Sequence, residues 1–251
     1  MQAIIDWGIG GFGLYRELKR VRSDSPLLYF SDAGYPPYGT VATAALVDRL
    51  AQIVSFVEGE GATSIVLACN AASTVAVRLR SRVRLPVIDI IESGVQVVLR
   101  SGVRSVGVVG GERTIRSGIY HRRFRAEGID SIGRVAQPLS GLIERGAIGS
   151  PPFEAALRQI LAPLEGVDGL LLACTHYAAA MSRFQEALPA TRIIDPVPVL
   201  ARMVIDTMGR DRNGSGESGD RIFTSGDVGI TKSGAKNAFG VEILSVENVG
   251  L

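Results

Sequence analysis

The 251-residue sequence is poor in several of the groups from which whole function classes are built: it has 2 Cys, 2 His, 1 Trp and only 6% aromatic residues. With Cys69 and Cys174 alone there is no disulfide framework of the kind that staples small secreted domains. A zinc site is disfavoured on similar grounds, because the two cysteines, His121 and His176 lack finger-like spacing and His121 lies in an Arg-rich segment. Excess charge of one sign is missing too. Lys and Arg total 27 against 25 Asp and Glu, a net charge of +2, which does not suggest a dedicated nucleic-acid binder. The local clusters Arg78, Arg80, Arg82, Arg84 and His121, Arg122, Arg123, Arg125 sit among apolar positions and read as solvated helix faces. No apolar run approaches the roughly 20 residues that span a bilayer, and no basic-then-apolar leader precedes the first strand. The expectation is a cytoplasmic chain with reduced thiols, without membrane or nucleic-acid partners.

What is present centres on two stretches that echo each other, Ser64-Ile65-Val66-Leu67-Ala68-Cys69-Asn70-Ala71 and Gly169-Leu170-Leu171-Leu172-Ala173-Cys174-Thr175-His176. Each is an apolar run with the texture of a buried strand, ending in Ala-Cys and a polar residue. Ligands in parallel α/β sheets bind at the carboxyl ends of strands, so two thiols at two such ends could face one ligand from opposite sides. The competing reading is a pair of buried cysteines packing as small hydrophobes.

Strand and helix alternate along the chain. Strands are predicted at Ala3–Ile5, Leu27–Phe30, Leu85–Asp89, Val103–Gly110, Ile132–Gln137, Ile193–Asp195 and Ile222–Ser225, besides the two cysteine strands, with a last β-rich piece near Val241–Val246. Helices are predicted between them, among others Leu14–Val21, Val41–Gly59, Phe153–Glu165 and Val197–Met208. Gly209–Asp220 reads as a flexible surface loop, and its Asn213-Gly214-Ser215 sequon carries no meaning in a cytosolic protein. The pattern restarts near Glu92, which suggests a second domain, and the alternation calls for parallel sheets with helical crossovers.

The glycine-rich turn Asp6-Trp7-Gly8-Ile9-Gly10-Gly11-Phe12-Gly13 supports a rival. Gly8, Gly10 and Gly13 satisfy the G-x-G-x-x-G spacing of a dinucleotide-binding module. Asp6 argues against it, because a carboxylate there would face an incoming pyrophosphate. The same carboxylate suits a substrate ammonium group or a thiol that exchanges protons, and as a purely structural residue it would cap the turn.

Taken together, Asp6 with its glycine turn, Pro37-Tyr38-Gly39, Ala68-Cys69-Asn70-Ala71-Ala72-Ser73, Thr114-Ile115-Arg116-Ser117-Gly118-Ile119-Tyr120, Glu144-Arg145-Gly146, Ala173-Cys174-Thr175-His176-Tyr177 and Ile194-Asp195-Pro196 resemble the cofactor-independent aspartate/glutamate racemase family, and glutamate racemases within it. The resemblance implies an α/β fold of two doubly wound parallel-sheet domains related by pseudo-symmetry, residues 1–91 plus 196–251 and residues 92–195, with the active site in the cleft between them. It implies Cys69 and Cys174 as the two bases, one for each substrate enantiomer, with Asp6 assisting Cys69, and His176 backed by Glu144 assisting Cys174. The substrate-binding positions it carries over are Asp6, Trp7, Tyr38, Gly39, Asn70, Ala71, Thr114, Thr175 and His176. It calls for no metal, no pyridoxal phosphate or other cofactor, and a small amino acid as partner; a homodimer stays open as the assembly. The product, D-glutamate, would serve peptidoglycan synthesis.

The chemistry suits the residues. Racemisation removes a proton from one face of Cα and delivers another to the opposite face, so two positioned groups are required. A thiol, with an ordinary pKa of about 8.5, lies close enough to neutrality for that task. Two residues depart from the family pattern. Trp7 stands where Ser is usual and Ala71 where Thr is usual, which removes two hydroxyls and puts a bulky ring where part of a glutamate would lie. A racemase acting on aspartate or another amino acid is therefore the alternative within the family, and a non-catalytic or dinucleotide-binding protein the alternative outside it.

Overall fold

The computed structural model describes residues 1–208 and 219–251. Its strands form two parallel sheets. The first holds β1 (Gln2–Asp6), β2 (Leu27–Ser31), β3 (Ser64–Leu67) and β4 (Val87–Asp89). The second holds β5 (Ser105–Gly110), β6 (Asp130–Val135), β7 (Gly169–Ala173) and β8 (Arg192–Ile194), after which β9 (Arg221–Thr224) and β10 (Glu247–Asn248) return to the first sheet. The orders are β10-β9-β2-β1-β3-β4 and β6-β5-β7-β8. Counting from the start of each repeat, both sheets contain the order 2-1-3-4, so the pseudo-symmetry is visible in topology, with each cysteine following the third strand of its set.

Near-continuous apolar runs make β1, β2, β3 and β7 the strands buried on both faces, with successive side chains pointing to opposite sides. Ala3, Ile5, Leu28, Phe30, Ile65 and Leu67 pack on one side of the first sheet against the helix Thr43–Gly59, while Ile4, Leu27, Tyr29 and Val66 pack on the other with helices Phe12–Val21 and Val197–Thr207. In the second sheet Leu170 and Leu172 face helices Gln137–Glu144 and Pro151–Leu161, and Val106, Val108 and Leu171 face Ile90–Ser101 and Ile119–Ala126. Caps delimit several of these helices. The Asp89 carboxylate accepts from the N–H groups of Ile91 and Glu92, and Gly102 ends that helix at φ 74°. Ser150 caps the helix that opens on Pro151.

Several predicted boundaries move. The strand expected over Ile132–Gln137 lies at Asp130–Val135, and Gln137 instead opens a helix, because the following Pro138 sits in its first turn. The β-rich piece expected at Val241–Val246 is irregular, and the short pairing occurs just beyond, between Glu247–Asn248 and Phe223–Thr224. Residue 92, where a domain was expected to begin, lies inside the helix Ile90–Ser101 that packs against helix Val197–Thr207 as well as β7. Most of the loop expected at Gly209–Asp220, with its sequon, lies outside the described residues. Its last member is tied down, since Asp220 accepts hydrogen bonds from Tyr15, Lys19 and the Leu27 N–H. The arginines of the two clusters are exposed, as expected, but Arg82 and Arg84 lie beyond the helix Ala76–Arg80 and not on a helix face. Among the described residues no helix is long and apolar enough to cross a membrane.

Candidate active site

The carboxyl ends of β1, β3 and β7 converge on a cavity of about 50 Å³ that lies between residues of the two sheets. Its walls include Asp6, Trp7, Tyr38, Gly39, Cys69, Asn70, Ala71, Thr114, Cys174, Thr175 and His176. Every substrate-binding position carried over from the family pattern therefore borders one space. Glu144 does not border it and reaches it through His176.

Each thiol sits where a strand gives way to a helical turn. Cys69 precedes the turn Asn70–Ser73, whose Ala71 and Ala72 N–H groups point at its sulfur, and Cys174 precedes the 3₁₀ turn Thr175–Ala180. Around Cys69, burial comes first and the Asp6 carboxylate second in pushing the thiol well above its ordinary range, against the pull of the two N–H groups. Asp6 itself is fully buried, and that burial pushes its carboxyl up to about 6 although His176, the Gly8 N–H and the Thr175 hydroxyl all favour the charged form. Around Cys174 the neighbour is an imidazole. His176 Nδ1 lies 3.9 Å from the sulfur, and Nε2 lies 2.5 Å from Glu144 Oε2. Burial works against a charge on His176, but its bonds to Cys174 and Glu144 outweigh that and hold its pKa well above the ordinary histidine value.

Two hydroxyls expected to meet substrate are spent on protein partners. Tyr38 donates to Asp32 Oδ2 at 2.8 Å, within a buried cluster in which Arg49 pairs with the same carboxylate and Ser225 also donates to it. Thr175 donates to Asp6 Oδ2 at 3.0 Å. That bond, with the Gly8 N–H at 3.2 Å, supplies the donors that Trp7 in place of Ser takes away from Asp6. Trp7 turns its indole N–H to the Tyr35 carbonyl at 2.9 Å and leaves its ring against the cavity, 6.5 Å from the His176 ring. Among the described residues, two polar atoms of cavity residues are buried without a partner, Asn70 Nδ2 and Thr114 Oγ1. Orphaned buried donors cost about 1–3 kcal/mol each, so such atoms at a cavity wall mark where a ligand supplies the missing acceptor.

The glycines of the G-x-G-x-x-G spacing have another use. A Cβ on Gly10 would come within 2.2 Å of Thr175 Oγ1 and 2.8 Å of His176 Nδ1, and one on Gly8 within 3.0 Å of Glu144 Oε1. The turn is bare because Thr175, His176 and Glu144 pack against it, and those side chains fill the space a pyrophosphate would need. The dinucleotide reading is corrected on that ground. Gln137 and Ser140 also line the cavity and were missed, because Gln137 was read as the end of a strand; Pro138 behind it was the available helix-start signal. Among the described residues, no group of three or more His, Cys, Asp or Glu side chains gathers as a metal site.

A family model described as Asp/Glu/Hydantoin racemase matches residues 16–204. A glutamate racemase of Desulforudis audaxviator (strain MP104C) is 30% identical over 255 residues, covering 95% of this chain and 93% of the relative. Among solved structures, the glutamate racemase of Francisella tularensis in complex with D-glutamate superposes with a TM-score of 0.88 at 23% identity, over 99% of this chain and 96% of that one. That of Thermus thermophilus, in complex with β-chloro-D-alanine, gives 0.86 at 25% identity, over 100% and 96%.

Proposed function

The chain belongs to the Asp/Glu/Hydantoin racemase family, and on that premise we propose that it interconverts L- and D-glutamate by proton transfer at Cα between Cys69 and Cys174. The observation that carries this reading is the pair of thiols from different sheets on one cavity, each with its own titratable helper. The thiolate of one cysteine takes the Cα proton into a new S–H bond, the Cα–H electron pair passing into the adjoining carboxylate. The thiol of the other then delivers its proton to the opposite face. Atoms and charge balance, and inversion leaves the two sulfurs with exchanged protonation states.

The helpers restore the starting state by moving protons on their own sides. Asp6, with its raised pKa, accepts and returns the proton of Cys69; on the other side charged His176, steadied by Glu144, gives a proton to the Cys174 thiolate and, once neutral, takes it back. Asn70 Nδ2 and Thr114 Oγ1 are the free donors for a substrate carboxylate, with the Gly39 and Ala71 backbone beside them. Tyr38 contributes its ring wall and not its hydroxyl. Residues 1–91 with 196–251 form one domain in this reading and 92–195 the other. The product serves peptidoglycan synthesis, and with it wall biogenesis and cell shape, in the cytoplasm.

One observation favours a second reading. The Trp7 ring takes part of the cavity, which suits a shorter dicarboxylate such as aspartate. Incubation with each enantiomer of both amino acids in deuterated water separates the two. Deuterium entering Cα of glutamate with loss of optical rotation is the expected result. Exchange and inversion of aspartate alone would replace the first reading with the second, and no exchange at any amino acid by folded protein would overturn both.

A further inference from the structure

The amide of Asn70 is held by a residue from the other sheet's helices. Tyr120 lies in the helix Ile119–Ala126 and is 3% exposed, and its O–H donates to Asn70 Oδ1 at 2.7 Å. A buried phenol must place its proton on an acceptor, and Oδ1 is the acceptor this one has. That bond decides which way the amide faces. With Oδ1 turned to Tyr120, the N–H groups of Nδ2 are the part without a partner, at the wall of the cavity beside Cys69.

The surroundings of Tyr120 are shaped to keep the hydroxyl there. Its ring stacks on Phe124 at 5.8 Å with a 20° interplanar angle. Against the hydroxyl lies Gly94, inside the helix Ile90–Ser101, where a Cβ would come within 2.6 Å of the phenol oxygen and 2.9 Å of ring atom Cε1. A glycine in a helix interior costs about 0.5–1 kcal/mol relative to alanine, so the bare position has a use, and the space it clears is filled by this one hydroxyl.

We propose that Tyr120 is a positioning residue for catalysis: its O–H, seated against Gly94, fixes the amide orientation of Asn70 so that Nδ2 presents donors to a carboxylate of the bound amino acid. The proposal rests on the racemase reading for the identity of that ligand. It makes substrate recognition at Cys69 depend on contact between the two halves of the molecule, since the donor comes from one and its orientation from the other.

The test uses the full chain with Tyr120→Phe, which removes one oxygen and keeps the ring on Phe124. KM for D-glutamate is expected to rise about tenfold, the scale of one hydrogen bond to a charged group, with kcat changed less than about twofold. In an Asn70→Ala background the same substitution is expected to add less than about twofold to KM. Gly94→Ala, which displaces the hydroxyl by its new Cβ, is expected to reproduce the KM rise and serves if Tyr120→Phe does not fold. An unchanged KM in Tyr120→Phe, or a rise as large without Asn70 as with it, overturns the proposal. A second readout does not involve glutamate. The side-chain ¹⁵NH₂ resonance of Asn70, identified by its loss in Asn70→Ala, is expected to shift in ligand-free Tyr120→Phe. If the wild-type protein leaves glutamate untouched, the substrate reading fails and this resonance alone judges the positioning role, an unmoved signal overturning it.

Discussion

Cys69 and Cys174 follow equivalent strands of two sheets with the same order, yet one thiol is flanked by a carboxylate and the other by an imidazole. On the Cys69 side, burial and Asp6 both disfavour a thiolate, so this sulfur rests with its proton on. On the Cys174 side, the bonds of His176 to Cys174 and Glu144 favour the charged imidazole, and Glu144 holds the ring in place. The repeat thus supplies equivalent positions, and their neighbours make the two thiols chemically unequal.

The largest test of this comparison is to remove one sulfur at a time. Cys69→Ala and Cys174→Ala are each expected to lower kcat for racemisation by about 10²–10⁴-fold, the usual contribution of a positioned proton-transfer group. The enantiomers have equal free energy, so kcat/KM for inversion must fall equally in both directions, and Cα exchange with solvent is the readout that separates the two sides. Each variant is expected to retain deuterium exchange without inversion for one enantiomer only, and the two variants for opposite enantiomers. Exchange of the same enantiomer in both would break the comparison.

Removing the helpers sharpens it at smaller cost. Asp6→Asn and His176→Asn are each expected to slow exchange of one enantiomer about tenfold more than the other, again with opposite preferences, below the effect of losing a sulfur. The pH profile distinguishes them further. Taking a proton from Cys69 requires Asp6 as carboxylate, and its carboxyl titrates at about 6, so exchange of the enantiomer facing Cys69 rises with pH through that value. Asp6→Asn is expected to remove that limb, and a limb that persists would mean another group titrates there.

The smallest expected effect concerns the surface on which the second half's helpers dock. Gly10→Ala puts a Cβ into Thr175 and His176, an overpacking that costs about 1–3 kcal/mol of stability by denaturant unfolding. Because Thr175 donates to Asp6 and His176 serves Cys174, exchange of both enantiomers is expected to drop together. A loss confined to one enantiomer would show that the turn supports one side only.

Much of the fold was legible in the sequence because the signals are local. Apolar runs that alternate across a sheet, Pro at helix starts and Gly at helix ends each depend on a few neighbouring residues. The slips have the same origin. Gln137 was taken as strand because the apolar run before it outweighed Pro138 behind it, and Gly8, Gly10 and Gly13 matched a phosphate-binding spacing because local pattern cannot say what packs against a bare backbone. The resemblance of the cysteine motifs to a family named residues that the folded chain brings to one cavity, but not which contacts each makes there. Tyr38 and Thr175 have hydroxyls in the sequence and spend them on Asp32 and Asp6 in the folded chain.

By itself, then, the sequence determined that two Ala-Cys strand ends would stand at the carboxyl edges of parallel sheets, since hydrophobic period and turn residues set that within a few positions. The tertiary structure alone decided which donors remain free. Asn70 Nδ2 is left without a partner while Tyr120, 50 residues away in sequence, takes its oxygen, and Asp6 gains a hydroxyl donor because Thr175 crosses from the other sheet. Hydrogen bonds are exclusive and act at contact, so their allocation follows from packing between distant segments and has no trace in the spacing of residues along one.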